Sequence, residues 1–525
     1  MNKGYKCLMH KLFNNQIFNI FIVSFIALFA NFYFGSIGVF PIDTFAFFDS
    51  AFAINNGSVP FKDYWVMNGL MVDLLQSIFF FIFGVSWKTY LLHSSLLNMF
   101  FGISSYFFLK NQGLNSTPSL FYSSCIALLA YTSVGSPFPD HHSTIFSILG
   151  IYFLIAAIKS NNNTLWFLIP LFFFIAFFSK QVPAFYFIIT SGLIIILHII
   201  VKKNYICLVP LILSCLILIF FLFLFLNMSN INLNEFLVQY FLFPKTIGTE
   251  RFSSFVWTFN GIFTQFKFVY IAILPLLFLV VAQFKKSKKF IKSNDFIFIV
   301  LILSSSFILI YHQLLTKNQN FIFFSLPLIF GFGHAFLRKY GFKKKIIYII
   351  LIFSTIALTT KYHIRFNLDR KFMELQNIEK SKFVKASLID DKLEGLKWIM
   401  PESAKNSFQE VDLLKSSIKF LKNYKAEKYI LITEYLFISS VINRNVFSPN
   451  RWYTTDGVSY PLRKNIFFEH YRKYYKSKLI EKDINIVFTI LPLDIKSIDF
   501  IFDSNCITSS KINDILYKHE IKDCF

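Results

Sequence analysis

The sequence predicts an α-helical polytopic membrane protein of about eleven spans, followed by a small α/β domain at its C-terminal end. Three observations predict it. Hydrophobic residues make up 55% of the 525 positions and charged ones only 15%, and the mean hydropathy is +0.55, a balance foreign to soluble globular chains of this length. Apolar runs close to the ~20 residues that cross a hydrocarbon core recur from the N-terminus to residue 361. Lysine and arginine gather in every second gap between those runs, the pattern that orients a bundle.

Taken in order, the runs lie near 17–39, 88–109, 119–135, 143–158, 164–179, 183–201, 205–227, 268–284, 295–315, 320–337 and 345–361. The first is too long for a signal-peptide core, and no small-residue cleavage site follows it, so it is expected to stay as the first span. With the N-terminus in the cytoplasm, Lys3, Lys6 and Lys11, then Lys110, Lys159, Lys202 and Lys203, the run Lys285 to Lys289, and the cluster Arg338 to Lys345 all fall on cytoplasmic segments. The apolar stretch from Met67 to Gly84 is left out of the count. A span there would invert every later loop and put the densest basic clusters outside, so it reads as a helix on the outer surface, within a first outer loop of 43–84.

An odd number of spans carries residues 362–525 outside as a soluble extracytoplasmic unit, separate from the membrane unit 1–361. Charges become frequent there, Tyr429–Ile432 and Ile484–Phe488 read as short strands, and Val411–Tyr424 has the spacing of an amphipathic helix. The formal charge of +23 would suggest nucleic acid in a soluble protein. Here orientation and anionic membrane lipid account for the basic loops, and no nucleic-acid partner is expected. The six cysteines include no C-x-x-C pair and so no metal framework. Cys506 and Cys524 fall in the outer unit, which leaves open a disulfide or two free thiols.

Ionisable residues beside apolar spans tend to line sites, because lipid exposure is costly. The first outer loop carries Asp43 just past the first span, then Asp49, then a Gly57-Ser58-Val59-Pro60 turn leading to Asp63. The second places Asp140, His141 and His142 together at the mouth of the fourth span, a grouping able to hold a divalent cation or a proton acceptor. Lys180 and Gln181 follow the fifth span, where a lone ammonium suits a phosphate. The longest outer loop holds Arg251, and a later one follows Tyr311-His312-Gln313 and contains Lys317, Asn318, Gln319 and Asn320. Each has a plainer reading: Asp43 as a helix cap, Lys180 as a lysine snorkelling to the interface, Asp140 and the histidines as too close in sequence to complete a metal site, and His312 as a bundle histidine satisfied by a hydroxyl. Their shared placement on one face favours a site.

The layout of that first loop resembles the GT-C superfamily of membrane glycosyltransferases, which includes the protein O-mannosyltransferases and the lipid A aminoarabinose transferases. There an Asp after the first span precedes an aromatic-rich surface helix, a Gly-x-x-Pro-aromatic-x-Asp turn and a second surface helix ending in Phe-Gly. Here the same order reads Asp43, Thr44 to Asn56, Gly57 to Asp63, and Leu70 to Gly84. The resemblance continues through Asp140, Lys180-Gln181, Asn318 to Asn320 with Leu326-Pro327, and the C-terminal α/β unit, so it covers essentially the whole chain. Asp43-Thr44 stands where the mannosyltransferases carry Asp-Glu, which resembles the bacterial branch, and Asn320 stands where a basic residue is often found.

The resemblance implies an enzyme of the cytoplasmic membrane. It would move a sugar from a polyprenyl-phosphate donor, with inversion, to a lipid, glycan or protein acceptor on the outer face. Asp43 would be its general base, or a metal ligand together with Asp140 where a divalent metal ion assists. Lys180, helped by Arg251, would meet the leaving phosphate, while Asp63, Asp140, His141, Gln181, His312 and Gln319 would bind substrate. Competing readings are an O-antigen-type polymerase or ligase, a flippase for a lipid-linked saccharide, and a non-catalytic scaffold. The flippase predicts charges at mid-span, which are nearly absent here, and the polymerase predicts more arginines in the large outer loops.

Overall fold

The structure, a computed structural model, describes residues 15–255, 258–317, 322–403, 405–425, 428–454, 456–493 and 506–522. Each apolar run contains a helix. Seven helices among the described residues are long and apolar enough to cross a membrane: Gln16–Gly35, Pro139–Ser160, Gln181–Lys202, Leu208–Met228, Lys267–Lys286, Asn294–Thr316 and the one starting at Lys345. The Leu208 helix buries only Pro210, Ser214 and Leu226, so nearly its whole apolar surface needs lipid as solvent. This is a membrane protein's bundle.

Four further helices, Trp87–Asn111, Ser116–Leu129, Asn163–Ser179 and Leu326–Lys339, are shorter or more polar, and the reason is position. They pack inside the bundle, where polar side chains must find partners within the protein. Asn31 Nδ2 donates to Ser94 Oγ at 3.0 Å and Ser95 Oγ at 2.8 Å, and Asn98 Nδ2 donates to the Ala127 carbonyl at 2.8 Å. Side chains cap helix starts: Asn15 Oδ1 accepts from Ile17 N at 3.0 Å, and Ser86 Oγ accepts from Thr89 N at 3.2 Å.

The stretch 67–84 folds as the 14-residue helix Leu70–Phe83, about 21 Å long at 1.5 Å per residue and so short of the ~30 Å hydrocarbon core. It buries Asp73, Gln76 and Phe80 against the helix Phe48–Asn55 and the Trp87 helix.

Past the last span, a four-stranded sheet runs in the order Tyr429–Thr433, Ile486–Ile490, Leu516–Ile521, Ile507–Lys511, the first pair parallel and the others antiparallel. The helix Ser407–Asn423 packs Leu414, Ile418 and Leu421 into a core that also holds Phe45, Phe48, Phe61 and Trp87 of the preceding unit. Residues 362–525 therefore share their interior with the loop 36–69. The seam is also hydrogen-bonded: Gly38 N donates to Lys397 O at 2.9 Å, Lys397 N to Ser36 O at 2.8 Å, Asp49 N to Leu436 O at 2.9 Å and Trp65 N to Pro449 O at 2.9 Å.

Two acidic side chains hold the seam. Asp49 accepts from the backbone N–H of Ser439 at 3.0 Å and of Ser440 at 3.1 Å, at the start of the short helix Ile438–Ile442. Asp73 is buried against Arg451 and also accepts from Tyr64 at 3.2 Å. Cys506 is disulfide-bonded; Cys524 lies outside the described residues. Cys125, Cys207 and Cys215 are free thiols.

Candidate functional site

Two segments bring the first carboxylates together. The Gln16 helix ends at Gly35, which lies so close to Gly135 that a Cβ on Gly135, where φ is +85°, would fall 2.2 Å from the Gly35 Cα. Only glycine permits that approach. Asp43 sits eight residues beyond this crossing, in the turn Pro41–Thr44, and Asp140 five residues beyond it, in the first turn of the Pro139 helix. Arg370 ties the two approaches: its guanidinium donates to Ile37 O at 3.2 Å, Thr132 O at 3.0 Å and Ser133 O at 2.9 Å.

Asp140 is fully committed. Its Oδ2 pairs with Lys180 Nζ at 2.6 Å and its Oδ1 lies 3.1 Å from His312 Nε2. Lys180 reaches it because the chain between Asn163–Ser179 and the next helix is extended at this residue, with φ −160° and ψ 134°, and Ser143 Oγ holds its carbonyl at 3.0 Å. The snorkelling reading does not describe a lysine placed this way.

Asp43 differs. Phe40 N is capped by Thr44 Oγ1 at 3.0 Å, so the turn does not use Asp43 as a cap, and the Asp43 carboxyl makes no hydrogen bond to a described residue. A water-sized probe still reaches it, yet protein crowds it, and burial pushes its pKa up to about 7, with the Asp140 charge adding to the rise and the Lys180 ammonium opposing it. Glu434, at the end of the strand Tyr429–Thr433, is likewise pushed up to about 7, by burial, then Glu402, then Asp43. A carboxyl near neutrality beside a fixed ammonium is an arrangement suited to taking a proton while negative charge develops next to it.

The other residues singled out from the sequence divide. Arg251, on the helix Phe243–Ser253, acts on His312 only weakly through its charge, and among the described residues no hydrogen bond or ion pair joins it to the cluster. His141 is buried behind Asp140, its Nε2 3.4 Å from Ser133 Oγ. Gln181 spends its amide N–H groups on Met67 O at 2.7 Å and Tyr240 O at 2.8 Å, joining three segments. Asp63 accepts from Val59 N at 2.7 Å and closes its own turn. Gln319, with Asn318 and Asn320, lies outside the described residues.

Sequence reasoning missed Arg370, Glu434 and a buried relay. In that relay His93 lies 2.9 Å from Gln76 Oε1 and 3.0 Å from His142 Nε2, and His142 Nδ1 lies 2.7 Å from the Tyr131 hydroxyl. A metal at Asp43 and Asp140 does not fit this arrangement. Both Asp140 oxygens are engaged, and no group of three or more His, Cys, Asp or Glu side chains among the described residues is placed to hold an ion.

No protein-family model and no curated protein matches the chain. Among solved structures it is similar to one described as archaeal oligosaccharyltransferase AglB from Archaeoglobus fulgidus in complex with an inhibitory peptide and a dolichol-phosphate. The two share 10% sequence identity with a TM-score of 0.41, over 90% of this chain and 69% of that one.

Proposed function

We propose that this protein is a GT-C-type membrane glycosyltransferase of the bacterial branch. It moves a sugar from a polyprenyl-phosphate carrier to an acceptor at the outer face of the cytoplasmic membrane. The observation that carries the reading is the unbonded Asp43 carboxyl, held near neutrality beside the Lys180–Asp140–His312 cluster. The order of Asp43, the Gly57–Asp63 turn and the Leu70 helix supports it, as does the placement of basic clusters at the opposite ends of the spans.

In the step proposed, the acceptor hydroxyl gives its proton to the Asp43 carboxylate as its oxygen bonds to the anomeric carbon. The bond from that carbon to the carrier phosphate breaks, and the electron pair leaves with the polyprenyl phosphate. Attack from the face opposite the leaving group inverts the anomeric centre. Lys180 and Arg251 meet the growing phosphate charge, and Asp140 and His312 fix the ammonium in place. The domain 362–525 covers the site from the membrane exterior, and Glu434 brings a second carboxyl toward Asp43.

Membranes carrying the protein, supplied with a panel of radiolabelled polyprenyl-phosphate sugars, test the proposal. Release of polyprenyl phosphate matched by label in a new product supports it. Intact donors across the whole panel would reject it.

A further inference from the structure

Along the Gln16 helix, Phe21, Phe25, Phe29 and Tyr33 form a ladder of stacked rings, with centroids 6.4, 5.7 and 6.0 Å apart, and all four are exposed. From Phe21 to Tyr33 the ladder covers about 18 Å at 1.5 Å per residue, close to the ~15 Å depth of one leaflet. Its upper end opens into a cavity of about 640 Å³ lined by Phe29, Tyr33, Ser36, Lys88, Thr89 and Lys397 among others. The apolar part of the wall is Phe29 and Tyr33 of the ladder with Phe32 and Leu92; the polar part is two lysines and two hydroxyls at the level where the span ends.

The lysines are presented by rigid elements. Lys397 is held at the helix end by its backbone bonds to Ser36 and Gly38, at 2.8 and 2.9 Å, and its ammonium lies 5.7 Å from the centre of the Tyr33 ring. Lys88 is on the first turn of the Trp87 helix and pairs with Glu394 at 2.7 Å. Two cations against one carboxylate leave a net positive mouth above a greasy wall, which complements a tail and an anionic head.

A second cavity of about 260 Å³ shares the lining residues Tyr33 and Lys397 with the first, and shares Ile378 with another of about 1210 Å³ whose wall includes Glu434. We infer that the face formed by the Gln16 ladder, Lys88 and Lys397 is a binding site for a membrane lipid with an anionic phosphate headgroup. The tail lies along the ladder and the phosphate between the two lysines. This site is separate from the Lys180–Asp140–His312 cluster, and it rests on the membrane-bundle reading rather than on sugar transfer.

Photolabelling tests it without turnover. The protein is placed in phosphatidylcholine vesicles doped with phosphatidylglycerol bearing a diazirine in its acyl chain, and adducts are mapped by peptide mass spectrometry. The segment Phe21–Tyr33 should carry at least fivefold more label than the Leu208–Met228 helix, although that helix is the more exposed of the two. The excess should vanish in Lys88→Gln/Lys397→Gln and fall in Lys397→Gln alone, while label on the Leu208 helix, the internal measure of folding, stays constant. Equal labelling of the two helices, an excess that survives both substitutions, or the same excess with a diazirine phosphatidylcholine would each overturn the site. Because no sugar is transferred in this assay, failure of the glycosyltransferase reading leaves its outcome unaffected.

Discussion

Replacing Arg451 by methionine should loosen residues 429–454 from the first loop by about 4 kcal/mol, because breaking a buried ion pair by removing one partner costs roughly 3–5 kcal/mol. Asp73 is 0% exposed and Arg451 3% exposed at the side chain, so water cannot replace the lost guanidinium. Burial already pushes Asp73 up to about 6 despite Arg451, and without it the carboxyl must protonate or open the seam. Methionine keeps much of the packing against Phe47 and Trp452, whose ring centres lie 4.7 and 5.1 Å from the guanidinium, so the effect reports charge. Hydrogen exchange at the Trp65, Ser439 and Ser440 amides reads it directly, since about 4 kcal/mol is roughly a thousandfold in the opening equilibrium. Asp73→Asn/Arg451→Met should exchange more slowly than the single Arg451 variant. Less than a tenfold rise in the single variant, or additive effects in the pair, would refute the claim that this pair locks the seam.

Asp49 gives a pH dependence with a defined sign. Its folded pKa is raised from 3.8 to about 7 by burial, so its contribution is fully present below about 4 and is lost as pH rises through about 7. The seam should therefore weaken by up to about 4 kcal/mol across that window, and Asp49→Asn should flatten the profile in a protease-sensitivity titration. Transfer should rise about tenfold per pH unit below about 7, as Asp43 becomes a carboxylate, and level off above, in kcat/KM measured against pH. Lys180→Gln should lower kcat by roughly a hundredfold or more with a smaller change in donor KM, since its charge is needed most as the phosphate leaves. Arg370→Met frees Ile37 and the 132–134 carbonyls together, so thermal stability and activity should fall together.

Much of the architecture is legible in the chain because lipid imposes a simple rule: long apolar stretches become helices, and gaps rich in lysine mark their ends. The rule weakens for helices that never meet lipid. Trp87–Asn111 carries His93, Ser94, Ser95 and Asn98 because its neighbours supply the partners, and no local pattern announces that. Asp43, Asp140, Lys180 and His312 stand out because each is an ionisable group beside a span, and the structure brings them together. Asp63 looked equivalent in sequence, yet Val59 N lies within its reach and the turn absorbs it. Arg370, Arg451 and Glu434 stayed hidden for the opposite reason. Their partners lie hundreds of positions away, Arg451 finding Asp73 and Arg370 finding Ile37, and nothing in the residues beside them announces those partners.

Asp43 is proposed as the base of a glycosyl transfer, and the deciding measurement compares wild type with Asp43→Asn at equal protein level, using whichever labelled polyprenyl-phosphate sugar the wild type consumes. Loss of transfer by roughly a hundredfold to ten-thousandfold, the span expected for a positioned general base, with unchanged donor binding, is the predicted result. Transfer at the wild-type rate in the variant would contradict it and remove Asp43 from the chemistry.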